Sequence, residues 1–322
     1  MKEAEEGLSI PMMLRPLNLR YSQIEKVLKI LAVQSPTPVS KRGHRWYANP
    51  SRYDPDRKRV AMLMHIRKME QATMLEYLHT KECLMAFLRR ELNDPTAEPC
   101  GRCANCVGHP LISEAVSGIL LRRALSFLRR SDQTFRPRKQ WPSGIKDVLG
   151  WSGTIDEALR PEEGRTLCIW GDVGWGDLVR RGKQVDGRFD DELVGGAIDL
   201  ILHRWQPEPF PTWVTCIPSL RHPTLVPDFA RRLAVELGLP FVPIIKKCHQ
   251  TEPQKTMQNS FQQVNNLCGA FRVEGWEGMD GPVLLFDDMV DSGWTFTITS
   301  ALLRNASSGP VFPFALALVQ GD

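Results

Sequence analysis

Four cysteines tie one stretch of this chain to a single point. In "CLMAFLRRELNDPTAEPCGRCANC" the spacing is C-x16-C-x2-C-x2-C, with Cys83 set apart from Cys100, Cys103 and Cys106. Zinc takes four donors in a tetrahedron. The short turn from Cys100 to Cys106, its crowding relieved at Gly101, offers three thiolates, and Cys83 arrives from a helix to close the set. Redox or free thiols are the alternative reading of the same residues, and His79 and His109 lie near enough to substitute as ligands. Four protein donors leave no position for water, so such an ion is structural and not catalytic. Cys168, Cys216, Cys248 and Cys268 stand singly in apolar contexts and read as free thiols.

Charge is unevenly spread. The formal net charge of +4 over 322 residues combines 26 Lys and Arg against 15 Asp and Glu in residues 1–150 with 15 against 22 in residues 151–322. The basic first half is the expected polyanion binder. No apolar run reaches the ~18 residues of a membrane span. The opening "MKEAEEGLSIPMM" has neither a basic leader nor a long apolar core, so the expected location is cytoplasmic.

Along the chain, "YSQIEKVLKILAV" places Ile24, Val27, Leu28 and Leu31 at helical spacing. After a turn at Pro36 and Pro38, "VSKRGHRWY" reads as a hairpin with Arg42 and Gly43 near its tip. A helix followed by a basic hairpin resembles the end of a winged-helix unit, whose wing meets DNA phosphates through Lys41, Arg42 and Arg45. Residues 55–92 read as two helices, one carrying Val60, Leu63, Met64 and Met69, the other Leu75, Leu78, Met85 and Leu88. Their methionine stripe is expected to be core packing. A further amphipathic helix covers 112–130, with Arg122, Arg123, Arg129 and Arg130. The basic, aromatic "FRPRKQWPSG" reads as a linker that also touches a nucleic-acid backbone.

Beyond it the pattern alternates. "RTLCIWGD", "WVTCIP", "FVPII", "VLLF" and "VFPFALAL" read as strands, with helices over 226–237 and 294–304 between them, the pattern of an α/β fold with a mostly parallel sheet. The chain is thus expected to be multidomain: a winged-helix-like segment (1–52), a mainly α zinc-binding region with its following helix (53–136), a linker with a Gly/Trp-rich segment (137–192), and the α/β domain (193–322). "WGDVGWGDLVRRGKQVDGRFDDEL" is rich in Gly, Trp and Asp, and its Gly-Trp and Trp-Gly turns read either as the lining of a base pocket or as an ordinary loop.

With "FLRREL" and "PCGRCANC" in that order, residues 50–110 resemble the zinc-binding subdomain of the RecQ-family DNA helicases. Leu84 stands where an arginine usually follows the first cysteine. In that family ATP-driven 3′ to 5′ unwinding belongs to two motor lobes. No G-x-x-x-x-G-K-[ST] phosphate loop occurs in this sequence. The resemblance implies a carboxy-terminal half of such a helicase or a relative of it, with DNA and the motor lobes as partners, in repair, recombination or genome defence.

"VLLFDDMVDSGWT" presents a buried strand expected to stop at Asp287 and Asp288, then a small-residue turn opening a helix. Backbone N–H groups of Asp291, Ser292, Gly293, Trp294 and Thr295, with the Ser292 and Thr295 hydroxyls, can surround a phosphate at the helix N-terminus. Gly293 permits close approach. The paired carboxylates can accept hydrogen bonds from vicinal ribose hydroxyls.

This segment is similar to the signature of type I phosphoribosyltransferases, which use 5-phosphoribosyl diphosphate with Mg2+, and the likeness covers residues 193–319. "IPSLRHP" resembles their diphosphate loop, with Ser219, Leu220 and Arg221. "TEPQKTMQNSFQQVNNLCGAF" resembles the flexible segment of the ComF-like branch through Gln254, Asn266 and Gly269 to Phe271, with Gln263 where that branch carries an arginine. The resemblance implies that Arg221, Lys246, Lys247 and Mg2+ stabilise a leaving diphosphate and that Asp291 acts as general base. Three functions follow as expectations: a DNA-binding accessory half of a helicase, a phosphoribosyltransferase with an unread acceptor, or a sensor of phosphoribosyl diphosphate or nucleotide.

Overall fold

The computed structural model describes residues 6–50, 53–275 and 280–319. They form two compact units, Ser51–Arg122 and the remainder of the chain on either side of it.

In the larger unit the chain begins with α1 (Ile10–Leu14), α2 (Tyr21–Ala32) and a hairpin of β1 (Val39–Arg42) and β2 (Arg45–Ala48). Ile10, Met13, Ile24, Leu28, Val39 and Trp46 close a small core between them. Val27, placed on the expected apolar face, is half exposed.

The smaller unit holds α3 (Arg57–His79), α4 (Leu84–Glu91) and α5 (Ala104–Val107); α6 (Gly118–Leu128) spans the boundary between the units. The two expected helices are present, but α3 runs on through Leu75 and Leu78. Its methionine stripe is not core: none of its described residues is buried, and Met64 is 59% exposed. The apolar residues from Val60 to Met69 lie round the helix instead of on one face, so no single packing surface forms. The helix expected over 112–130 is shorter, and Ile119, Leu120 and Phe127 are exposed.

The rest of the larger unit is α/β. Its strands are β3 (Gln133–Phe135), β4 (Gly164–Ile169), β5 (Trp213–Cys216), β6 (Ile245–Lys247), β7 (Phe271–Val273), β8 (Val283–Val290) and β9 (Val311–Leu318). Its helices are α7 (Lys146–Leu149), α8 (Gly176–Arg181), α9 (Asp191–Asp199), α10 (Leu225–Leu237), α11 (Ser260–Asn266) and α12 (Trp294–Asn305). Five strands pair in the order β3-β4-β9-β8-β5, all parallel except β3 on β4. Both faces are covered, which is why β8 and β9 read as unbroken apolar runs. On one face Phe286 and Phe314 pack with Phe229 and Leu193; on the other Leu285 packs with Phe296, Val264 and Ile145. Pro313 is tolerated in this central strand because pairing with β4 begins only at Phe314.

Two expectations change here. "FVPII" is not one strand: Phe241 makes an isolated parallel bridge to Val214, Pro243 interrupts, and Ile245–Lys247 pairs antiparallel with β7 in a separate ribbon. Residues 137–192 are not a linker. They supply β4 of the main sheet, and Trp141, Ile145 and Ile155 are buried in its core. Proline and glycine there shape short turns that lie on the sheet. No helix among the described residues is long and apolar enough to cross a membrane.

Candidate functional site

Cys83 caps α4. Its sulfur accepts from the Ala86 N–H at 3.4 Å and from the Cys100 N–H at 3.1 Å, while the Cys100 sulfur accepts from the Cys103 N–H at 3.3 Å. The four sulfurs Cys83, Cys100, Cys103 and Cys106 lie within 4.8 Å of one another, Cys83 and Cys103 at 3.9 Å, and none is in a disulfide. With metal–sulfur bonds of about 2.3 Å, neighbouring sulfurs of a tetrahedron lie about 3.8 Å apart, so the four are gathered at the spacing a zinc ion needs. His79 and His109 stand outside this set.

The electrostatics suit a cation. The Cys100 and Ala86 N–H groups pull the Cys83 thiol down to about 6. Cys103 is lowered as well: burial opposes, and the Cys106 and Leu84 N–H groups prevail. Cys106, beside the Cys103 sulfur and partly buried, is pushed up to about 11. Four thiolates cannot share this space uncompensated, and a divalent cation removes the conflict. The loop is braced by Asn105, whose amide donates to the Thr80 and Glu82 carbonyls, and by Arg89, which binds Asp94 at 2.6 Å and the Thr96 carbonyl at 3.1 Å.

The carboxylate pair lies elsewhere, in the α/β body. The strand does not stop at Asp287: β8 continues to Val290, still paired with β9. What stops is β5, whose last pair is Cys216 with Phe286. The acids therefore occupy the first positions where β8 has lost one neighbour, at the carboxyl end of a parallel sheet, the place where open α/β sheets hold ligands. Adjacent strand residues face opposite sides. Asp288 is 7% exposed and meets the Lys183 ammonium at 2.7 Å. The Asp287 carboxylate accepts from the Asp288 N–H at 2.8 Å. Burial and then the Asp288 charge push Asp287 well above the usual carboxylate range, with Lys183 and Lys247 opposing.

The two lysines of β6 part company. Lys247 turns inward, donating to the Thr251 hydroxyl at 3.0 Å over the Phe271 ring; burial lowers its pKa, Asp287 opposes, and Arg221 adds to the lowering. Lys246 is exposed and donates to the Pro243 carbonyl at 3.0 Å. Arg221 and Leu220 are exposed, and the Ser219 hydroxyl accepts from the His222 N–H at 3.3 Å. Lys247 thus lies within electrostatic reach of both Asp287 and Arg221, while Lys246 is turned to the surface.

After the acids, Asp291 is exposed, Ser292 and Thr295 are half-buried, and Gly293 opens α12 at φ +77°. The Ser292 and Thr295 hydroxyls have no hydrogen-bond partner among the described residues. Trp294, expected to contribute its backbone N–H, has its side chain turned away from the surface. It is 2% exposed, stacked on Trp141 at 5.9 Å, which packs on Trp151 at 4.7 Å. Its ring is a core element, set there because the first helical residue faces the sheet. Arg138, from the supposed linker, donates to the Ser292 carbonyl at 2.7 Å and lies over the Trp294 ring. Burial holds its pKa down, with Asp291 opposing.

The ComF-like segment is cross-braced. The Asn266 amide donates to the Glu252 carbonyl at 2.9 Å and to Gln254 at 3.1 Å, and Gln263 donates to the Met257 carbonyl. Asn259 reaches beyond it to the carbonyls of Leu14, Leu17 and Leu19. In the amino-terminal hairpin Lys41 lies over Trp46 and Arg42 over Tyr47, both exposed. Arg45, expected to meet phosphate, is engaged by the Glu6 carbonyl and carboxylate.

Sequence reading missed Lys183, Arg138 and Asn259. Each comes from a segment without periodicity, and their long-range partners leave no local mark. A groove between α9 and α10, lined by Val194, Ile198, Arg231 and Val235, includes none of these residues. No protein-family model matches the chain, and no curated protein matches it.

Proposed function

We propose that this chain is the DNA-binding accessory half of a RecQ-like helicase system, joined to an α/β domain that binds 5-phosphoribosyl diphosphate. The observation that carries the ligand reading is the place of Asp287 and Asp288: one step past the end of β5 and shortly before the Gly293 turn, with the Lys247 charge felt at Asp287 and the Arg221 charge felt at Lys247. Carboxylates there suit ribose hydroxyls, the loop N–H groups suit a phosphate, and the two cations suit a diphosphate. Magnesium would come with the ligand and would offset the diphosphate charge.

Cys83, Cys100, Cys103 and Cys106 would hold zinc, whose contribution is to cross-link the loop to α4. Lys41 and Arg42 offer the exposed cations for DNA phosphates, and ATP-driven unwinding belongs to motor lobes with their own phosphate loop.

Calorimetry with 5-phosphoribosyl diphosphate and magnesium, on the parent chain and on Asp287→Asn with Asp288→Asn, tests this. Heat from the parent that the double variant loses supports it; no heat from the parent at millimolar ligand removes it. DNA affinity of the full chain should fall steeply with salt.

A sensor reading is favoured by one contact: Asn259 joins the segment beside the ligand site to the amino-terminal carbonyls. Diphosphate release with candidate bases separates transfer, in which Asp291 would act as base, from sensing.

A further inference from the structure

The Gly/Trp-rich segment, which the sequence leaves open between a base-pocket lining and an ordinary loop, delivers Lys183 to Asp288. Asp172 organises its start, one oxygen accepting from the Gly174 and Gly176 N–H groups at 2.9 and 2.8 Å and the other from Ile169 at 3.1 Å. This draws α8 close to the end of β4; a Cβ at Gly176 would lie 2.5 Å from the Ile169 carbonyl oxygen. From α8 the chain enters a π-helical turn, Gly182–Asp186, a local widening often found at functional positions. Gly182 sits against Phe189, where a Cβ would lie 2.8 Å from the ring. The next residue, Lys183, sends its ammonium to Asp288 at 2.7 Å and to the Met289 sulfur at 3.0 Å.

Stability alone is a poor reason for this pair. A buried ion pair rarely outperforms apolar side chains of the same volume, because both charges lose their water. An ammonium carries three N–H donors. One meets Asp288, one faces a weakly accepting thioether, and the third has no acceptor among the described residues, although the side chain is three-quarters buried. A mostly buried cation beside Asp288, with one donor that no described side chain takes and a quarter of its surface open, is an arrangement that an anionic oxygen would complete.

We propose that Lys183 is a ligand-contacting residue of the sugar-phosphate site, holding Asp288 in place and giving its remaining N–H to an oxygen of the phosphorylated ligand. This rests on the reading of that site as one for 5-phosphoribosyl diphosphate. The Gly/Trp-rich segment then belongs to the binding site, and its glycines serve the close approach that puts Lys183 there.

The test is calorimetry of the full chain with 5-phosphoribosyl diphosphate and magnesium, on the parent, Lys183→Met and Lys183→Arg. Lys183→Met should bind about 30-fold more weakly, the loss expected for one charge-assisted hydrogen bond, and Lys183→Arg should recover about tenfold of it. Parent-like binding by folded Lys183→Met overturns the proposal and leaves the site reading intact. Absence of binding by the parent removes the site reading and this proposal together. If Lys183→Met does not fold, amine acylation mapped by mass spectrometry on the parent decides. Protection of Lys183 by ligand supports the contact, and an unchanged acylation rate overturns it.

Discussion

The side-chain amide of Asn259 lies 3.0 Å from the carbonyl oxygen of Leu17, and the same nitrogen reaches Leu14 and Leu19 at 3.2 and 3.0 Å. One buried amide thereby gathers three carbonyls of the amino-terminal segment. Its own oxygen caps α11 by accepting from the Gln262 N–H. Gln262 donates to the Arg15 carbonyl at 2.5 Å, and Asn18 exchanges hydrogen bonds with the 256–258 backbone.

Asn259→Leu should therefore uncouple residues 10–20 from α11. It leaves three part-buried carbonyls without this donor, a cost of about 1 kcal/mol or more. Hydrogen exchange should quicken in α1 and α2 while the amides of β8 and β9 keep their protection. Equal protection throughout would show that the apolar contacts, not this amide, hold the segment.

Metal analysis of the purified chain should find one zinc per molecule, and a chelator should lower the melting temperature. Cys83→Ser should do both at once, because it removes a donor and the acceptor for two backbone N–H groups. The sign with pH follows from Cys83, whose folded pKa of about 6 lies below the usual thiol value. Its preference for the folded form is complete above the unfolded value and lost as pH falls through 6. The metal-free chain should therefore lose this contribution in that window, measured as a fall in its melting temperature.

Asp94 gives a second, more acidic window. The Thr96 N–H, and then Arg89, hold its carboxyl near 2, below the usual 3.8. A depressed carboxyl stabilises the fold above its unfolded pKa, and that contribution disappears as pH falls from about 4 to 2. Asp94→Asn should flatten the acid limb of a melting-temperature profile for the metal-loaded chain. An unchanged limb would assign it to other carboxylates.

At the hairpin, Lys41→Ala and Arg42→Ala should each reduce the salt slope of DNA binding by about 1, as removal of a phosphate contact does. Arg45→Ala should leave the slope unchanged, because Glu6 already holds that guanidinium. A shared loss at all three positions would mean that Arg45 leaves Glu6 when DNA binds.

The α/β alternation and four-thiol cluster are legible in sequence because each has a local cause. Parallel strands buried on both faces read as unbroken apolar runs, and C-x2-C spacing brings sulfurs together within one turn. The Met64 stripe misleads because apolar composition without one-sided spacing has no core to pack on. The Asp288–Lys183 pair is invisible for a further reason: neither residue differs locally from a solvated charge, and the fold alone brings them together.

Glycine to alanine takes opposite signs at Gly182, which precedes Lys183, and at Gly195 in α9. Gly182 has helical φ −57°, so alanine there meets no backbone strain, but its Cβ would crowd the Phe189 ring and the Arg188 carbonyl oxygen at 2.8 and 2.9 Å. Gly182→Ala should destabilise by about 1–3 kcal/mol, the usual cost of overpacking. Gly195, exposed within α9, has nothing within 4 Å of an added Cβ. Gly195→Ala should stabilise by roughly 0.4–1 kcal/mol, because it restricts the unfolded chain and favours the helix. Urea unfolding of the two variants measures both. A stabilising Gly182→Ala would mean that Phe189 can move aside, and Lys183 would then not owe its place to this contact.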